Sequence, residues 1–172
     1  MKNVAWRDAE DVKEYKRLEP GGYVCRIVKV EDVPEKEYLK FSYDIALGDF
    51  KDHFRELYDH FGNWSGTFIK SYKEKALPFF KGCMTAIERS NPNYIFNDDE
   101  TTLKGKYIGL VLGEKEYKKQ DGGIGKKLYV ASIRDTEAIK NGDFEIPEFK
   151  QLAPSITFVE ASNENDDDDL PF

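Results

Sequence analysis

The sequence predicts a mainly β domain with helices: five strands, with a helix between the third and the fourth. Three observations predict it. Residues 39–47 alternate between apolar and polar side chains. Residues 77–89 repeat their apolar side chains at helical spacing. Beyond that helix, two further strand-like runs, 106–114 and 128–134, flank a Lys- and Gly-rich connection. A chain of 172 residues fits one domain with appendages and can bury a real core.

The elements follow in order. Asp8 to Leu18 reads as a short polar helical arm, capped by Asp8 and ended by Glu19-Pro20-Gly21-Gly22, with Trp6 placed to pack it onto the body. Tyr23 to Val30 is the first strand, with Tyr23, Cys25 and Ile27 on one face and Val24, Arg26 and Val28 on the other. After a Pro-containing connection, Leu39 to Leu47 sets Leu39, Phe41, Tyr43, Ile45 and Leu47 against Lys40, Ser42, Asp44 and Ala46, one face core and one wet. Between Gly48 and Gly62, Phe50, Phe54, Leu57, Tyr58 and Phe61 recur at three- and four-residue steps, which predicts an extra helix inserted after strand two.

Thr67 to Tyr72 is the third strand, with Phe68, Lys70 and Tyr72 on one face. Leu77 to Arg89 is the main helix. Pro78 suits its first turn, Phe79, Phe80, Cys83, Met84 and Ile87 form its stripe, and Ser90-Asn91-Pro92 ends it. Lys106 to Glu114 and Leu128 to Arg134 are strands four and five, and Glu114 to Lys127 reads as a long connection between them. Thr136 to Lys140 forms a short helix before Asn141-Gly142. Five strands with a helix between the third and fourth is the order of the OB-fold, a five-stranded Greek-key barrel; other small α+β folds share it. Residues 1–150 are read as this domain with its N-terminal helical arm, and residues 151–172 as a disordered acidic tail.

The net charge is -7, but it is unevenly distributed. Six of the 33 acids follow Lys150, where no Lys or Arg remains; residues 1–150 keep 27 acids against 26 bases, a net of -1. A local basic surface is therefore available. Two cysteines, Cys25 and Cys83, are too few for a disulfide framework and read as small core residues. The first residues are charged throughout and no apolar run approaches the ~20 residues of a membrane span, so the expected place is the cytoplasm, with no membrane partner.

Single-stranded nucleic acid exposes a phosphate at every nucleotide and the face of every base. A protein that holds it needs Lys or Arg for the first and aromatic rings for the second. Two stretches supply both. Residues 67–81 carry Lys70, Lys73, Lys75 and Lys81 against Glu74, with Phe68 and Tyr72 interleaved. Residues 102–134 carry eight bases against three acids, a local +5, with Tyr107, Tyr117 and Tyr129 among them. The candidate contacts are Lys70, Tyr72, Lys73, Lys106, Tyr107, Tyr117, Lys118, Lys119, Lys126, Lys127, Tyr129 and Arg134, joined by Arg26 and Lys40, which alternate with core positions. The connection between strands four and five is a nucleic-acid-contacting loop of OB-folds. Each residue has a plainer reading. A Lys-rich turn is often only solvated, and a strand Tyr is often a packing residue; Tyr23 and Tyr43 are assigned to the core on that ground. Trp64 either stacks on a base or anchors the inserted helix.

Other chemistries find no support. Gly122-Gly123-Ile124-Gly125-Lys126-Lys127 lacks the phosphate-loop spacing and precedes a strand. His53 and His60 stand seven apart, and no zinc spacing with Cys25 or Cys83 emerges, so neither a metal nor another cofactor is expected. No nucleophile, triad or two-metal acidic cluster argues for an enzyme.

The chain ends Asp166-Asp167-Asp168-Asp169-Leu170-Pro171-Phe172. Four carboxylates precede an apolar tip that carries the terminal carboxylate, a compact peptide ligand for a pocket rimmed by cations. This ending closely resembles the acidic tip of bacterial single-stranded DNA-binding proteins. The resemblance covers seven residues. It implies an OB-fold body that holds DNA, and a tip that recruits replication, repair and recombination enzymes. It also implies a homo-oligomer, a tetramer in the common bacterial form and variable in phage forms. The chain lacks that form's long Gly/Pro/Gln linker, with only about twenty residues before the tip, which favours a bacteriophage or divergent version acting in a bacterial cell or phage-infected host. The alternative is a phage adaptor that binds no DNA and whose tip mimics the host tail to capture repair or replication enzymes. A nuclease or annealing protein is the third reading, without a catalytic constellation.

Overall fold

The computed structural model describes residues 4–9 and 16–153. The predicted arm falls largely outside them, and so does the tip at 166–172. Within the arm, Trp6–Asp8 form one 3-10 turn and residues 16–19 are not helical. Trp6 does not pack onto the body as expected: it is 65% exposed, with the Arg7 guanidinium 5.0 Å from its ring centroid.

The five strands are β1 (Gly21–Val33), β2 (Tyr38–Ile45), β3 (Thr67–Ser71), β4 (Tyr107–Lys118) and β5 (Ile124–Arg134). They form one antiparallel sheet in the order β3-β2-β1-β4-β5, an order compatible with an OB-like fold. The helices are α1 (His53–Phe61), inserted after β2, then α2 (Leu77–Ser90), between β3 and β4, and α3 (Thr136–Lys140). No ladder joins the edge strands β3 and β5 among the described residues. Instead α2 touches both and stands between them.

Alternation builds the core. Cys25 and Ile27 of β1, Leu39, Phe41, Tyr43 and Ile45 of β2, and Ile108, Leu110 and Leu112 of β4 face inward onto Cys83, Met84 and Ile87 of α2. Phe41 stacks on Phe68 at 4.7 Å, with the rings 4° from parallel. A bulge after Ile27 sets Val28 outside the ladder, so that Val30, opposite Phe41, takes the inward position. Both cysteines are free and buried, as expected.

The opposite face is less wet than alternation predicts. α3 and the chain after it cover its centre, where Val24, Val111 and Ile139 form a second small cluster with Phe144. The approach is close: a Cβ on Gly109 would fall 2.6 Å from the Ile139 side chain and 2.7 Å from the Arg134 carbonyl oxygen. Asp44 is also buried. Its Oδ1 accepts from the Ile45 and Phe54 amides, both at 2.9 Å, and its Oδ2 from the Arg55 amide at 3.1 Å, so it caps α1 from the neighbouring strand. Burial nonetheless raises its carboxyl pKa, against those three bonds. Held by its first turn, α1 buries Phe54 alone of its predicted stripe; Tyr58 is 47% and Phe61 67% exposed. Trp64 anchors the end of this insertion. Its Nε1 donates to the Gly66 carbonyl at 3.1 Å and its ring lies 6.0 Å from Tyr58.

The largest departure lies between β4 and β5. The predicted connection from Glu114 to Lys127 is mostly strand, and only residues 119–123 turn. Pairing continues through Glu114↔Leu128, Lys115↔Lys127, Glu116↔Lys126 and Tyr117↔Gly125. Lys and Gly hide a period of two that cross-strand partners satisfy. β1 leaves β4 at Leu112, and past that point Lys150 takes the vacated side of β4. The Glu116 amide donates to the Lys150 carbonyl at 2.9 Å, and the Lys150 amide to that of Glu114 at 3.1 Å. Among the described residues no helix is long and apolar enough to cross a membrane.

Candidate nucleic-acid interface

The predicted contacts fall into three places. The first is the β4–β5 hairpin. Antiparallel pairing puts Tyr117, Lys115 and Gly113 of β4 on one face, opposite Gly125, Lys127 and Tyr129 of β5. Lys127 Nζ lies 5.3 Å from the Tyr117 ring centroid, and Lys115 Nζ lies 5.3 Å from that of Tyr129. Lys150, beside the hairpin, stands 4.8 Å over the same Tyr129 ring. Ammonium groups and ring faces thus alternate along this face. The glycines make room: a Cβ on Gly125 would fall 2.7 Å from the Tyr117 ring, and one on Gly113 2.9 Å from that of Tyr129. Lys118 and Lys119 are exposed at the turn, and Lys126 lies 5.3 Å over the Phe149 ring. In the turn, Gly122 has a φ of 87° and the Asp121 carboxylate accepts from the Gly123 amide at 2.8 Å, which fixes the hairpin's tip.

The second place is the outer face of β1 and β2. Arg26 stands across from Tyr107 on one side and Asp44 on the other. Tyr107 is 44% exposed, and with Arg26, Lys51 and Asp52 it lines a shallow recess of about 100 Å³. Its strand is held from below by Asn91, whose side chain accepts from the Tyr107 amide and donates to the Tyr107 carbonyl, both at 2.9 Å. Lys40 is exposed on the same face, opposite Glu31 and Ile69. Lys106 sits beside this group, 4.7 Å over the Tyr94 ring.

The third place is the seam between the sheet edges. Lys70 is 3% exposed and points inward, on the Phe68 side of β3. Arg134 is exposed at the facing end of β5, its guanidinium donating to the Ile133 carbonyl at 3.1 Å. Tyr72 packs edge-on against Phe80 at 6.2 Å, and its hydroxyl donates to Asp32 at 2.8 Å. That hydrogen bond pushes its phenol pKa up to about 12. Lys73 is exposed beyond the end of β3.

The hairpin therefore gathers Tyr117, Lys118, Lys119, Lys126, Lys127 and Tyr129; the outer face gathers Arg26, Lys40 and Tyr107; Lys70 joins neither. Sequence reading passed over Lys115 and Lys150 as ring partners. The register of β4 on β5 reveals the first, but no periodicity announces that Lys150 returns to β4. Among the described residues, no three His, Cys, Asp or Glu gather to hold a metal ion. No family model matches the chain, and no curated protein does.

Proposed function

We propose that this protein binds single-stranded DNA without sequence preference, coating and protecting it in replication, recombination and repair, while its acidic tip recruits partner enzymes. The observation that carries the reading is the ladder on the β4–β5 hairpin, where Lys115, Lys127 and Lys150 alternate with the rings of Tyr117 and Tyr129. Phosphates take the ammonium groups and bases take the ring faces. The sheet order, with α2 between the edge strands, supports an OB-type Greek-key barrel as the body. Arg26, Lys40 and Tyr107 extend the path across the outer face.

Binding of labelled oligo-dT and of duplex of equal length, measured by fluorescence anisotropy across a salt series, tests this. The expected result is strong preference for the single strand, weakening with salt. No binding at low salt overturns it and favours the adaptor that only mimics a host tail. Degradation in Mg²⁺ favours a nuclease. Deleting residues 166–172 should leave or raise affinity for the single strand and abolish partner binding, since the acidic tip competes with phosphate for cations. A deletion that destroys DNA binding refutes that arrangement.

A further inference from the structure

The seam between β3 and β5 holds a cleft of about 510 Å³, a volume that suits one nucleotide. β3 contributes Lys70 to its wall, α2 contributes Phe79, Lys81 and Arg89, and β5 contributes Ser132 and Arg134. Asp135 is the acid in the lining, and its carboxylate is already occupied, accepting from the Ala138 amide at 2.9 Å to cap α3. Four cations thus line the cleft against one carboxylate, that of Asp135, which is turned to the α3 cap.

Lys70 makes the site more than a basic surface. It is 3% exposed, yet its side chain has no hydrogen bond or ion pair among the described residues. Its side chain lines the cleft. The neighbouring Cys83 thiol is no counter-ion: burial pushes its pKa up to about 12, so it is neutral near pH 7. Burial likewise pulls the Lys70 pKa below the ordinary value. A buried ammonium without an anion is an unfavourable arrangement. An anion entering the cleft relieves it, and the other three cations attract one.

We propose that this cleft is a phosphate-binding site, with Lys70 at its floor and Lys81, Arg89 and Arg134 at its rim, taking the phosphate group of a nucleotide. That group is either the terminal phosphomonoester of a nucleotide or strand, or the phosphodiester of a strand's backbone. The site shares the end of β5 with the hairpin but none of its ring-facing lysines or tyrosines, and it does not rest on the hairpin's role.

Thermal unfolding of the full chain in inorganic pyrophosphate, against sodium acetate at equal ionic strength, tests it. Pyrophosphate should raise Tm by about 5 °C beyond acetate. Lys70→Met should abolish the difference, and Lys81→Gln with Arg89→Gln, at exposed positions of α2, should at least halve it. If Lys70→Met does not fold, the helix pair decides alone. Replacing Lys118, Lys119, Lys126 and Lys127 by Gln should leave the pyrophosphate effect intact, whatever it does to DNA binding. That control separates failure of this site from failure of the hairpin reading. A pyrophosphate effect equal to that of acetate, or one undiminished by the variants, overturns the proposal. Oligo-dT with and without a 5′-phosphate then identifies the source. A preference for the 5′-phosphate that Lys70→Met removes means a chain end. Equal binding of both, weakened about fivefold or more by Lys70→Met, means the backbone. Strand binding of both forms that Lys70→Met leaves unchanged, alongside an intact pyrophosphate effect in the parent, means a free nucleotide.

Discussion

On the β4–β5 hairpin, Lys115 and Lys127 oppose each other across the strands, and each lies 5.3 Å over a tyrosine ring. At the β3–α2–β5 seam, Lys70 is 3% exposed and its side chain makes no ion pair among the described residues. The hairpin can place like charges opposite one another because water and the ring quadrupoles screen them. The seam has no ring over its ammonium among the described residues and buries most of the side chain, so its charge persists at the expense of stability. One region makes cations available at little energetic cost; the other holds one under tension that a ligand can release. The two should respond differently to salt, to pH and to substitution.

The sharpest way to break this contrast is to discharge the hairpin. Replacing Lys118, Lys119, Lys126 and Lys127 by Gln should lower affinity for oligo-dT by about 100-fold at 0.1 M salt. It should also flatten the dependence of log affinity on log salt by about 3, at ~0.7 per cation removed. Unfolding should shift little, since Lys118, Lys119, Lys126 and Lys127 are exposed. An unchanged salt slope would move the phosphate contacts off the hairpin. Removing a ring is the next largest effect. Tyr117→Ala should weaken oligo-dT binding by about tenfold, within the 1–3 kcal/mol of a stacked base, with the salt slope preserved. A fall in slope instead would mean that the ring matters by positioning Lys127.

At the seam the expected sign is reversed. Lys70→Met removes a buried unpaired ammonium and keeps most of the volume, so it should raise stability by about 1 kcal/mol, some 2–4 °C in Tm. The pH profile sharpens this. The folded-state pKa of Lys70 lies below the ordinary 10.5 of the unfolded chain. Between the two values the unfolded chain holds a proton that the folded chain has released, so stability rises with pH across that window. Lys81, Arg89, Arg134 and Asp135 also line the cleft and are common to the parent and the variant. Cys83 works in the opposite sense, because its raised pKa lowers stability as pH climbs above 9.0. The difference between parent and Lys70→Met profiles, followed by urea unfolding from pH 7 to 10.5, isolates the lysine. The variant's advantage should shrink as pH rises. A constant advantage would mean that the ammonium is already compensated.

Much of this contrast was legible in the sequence, and what was not had identifiable causes. Alternation places Lys70 on the face of Phe68 and Tyr72, while residue type argues for solvent; the fold follows alternation. The strand order, α2 and the five-residue α3 follow from periodicity and caps, Asp135 accepting from Ala138 in the last case. The hairpin's length did not, because Lys, Glu and Gly carry no apolar signal and their pairing appears only in register. Phe61 likewise belongs to a helical stripe, yet it stays 67% exposed, since nothing in a nine-residue helix dictates which turn meets the sheet. Asp44 decides that, through bonds to amides ten and eleven residues away.

The finest division lies within one residue of the ladder. Tyr129 offers its ring to Lys115 and Lys150, but its hydroxyl is buried without a hydrogen-bond partner among the described residues. A hydroxyl in that state opposes folding, while the ring beneath the lysines favours it and, in the proposed function, takes a base. Tyr129→Phe keeps the ring and deletes the hydroxyl. It should raise stability by about 1 kcal/mol at most and leave oligo-dT affinity and salt slope unchanged. Tyr117→Phe, whose hydroxyl is not sealed, should change neither. If Tyr129→Phe instead weakens strand binding, the hydroxyl is not a penalty of packing; it is held in reserve for a base or phosphate that reaches it when the hairpin closes on DNA.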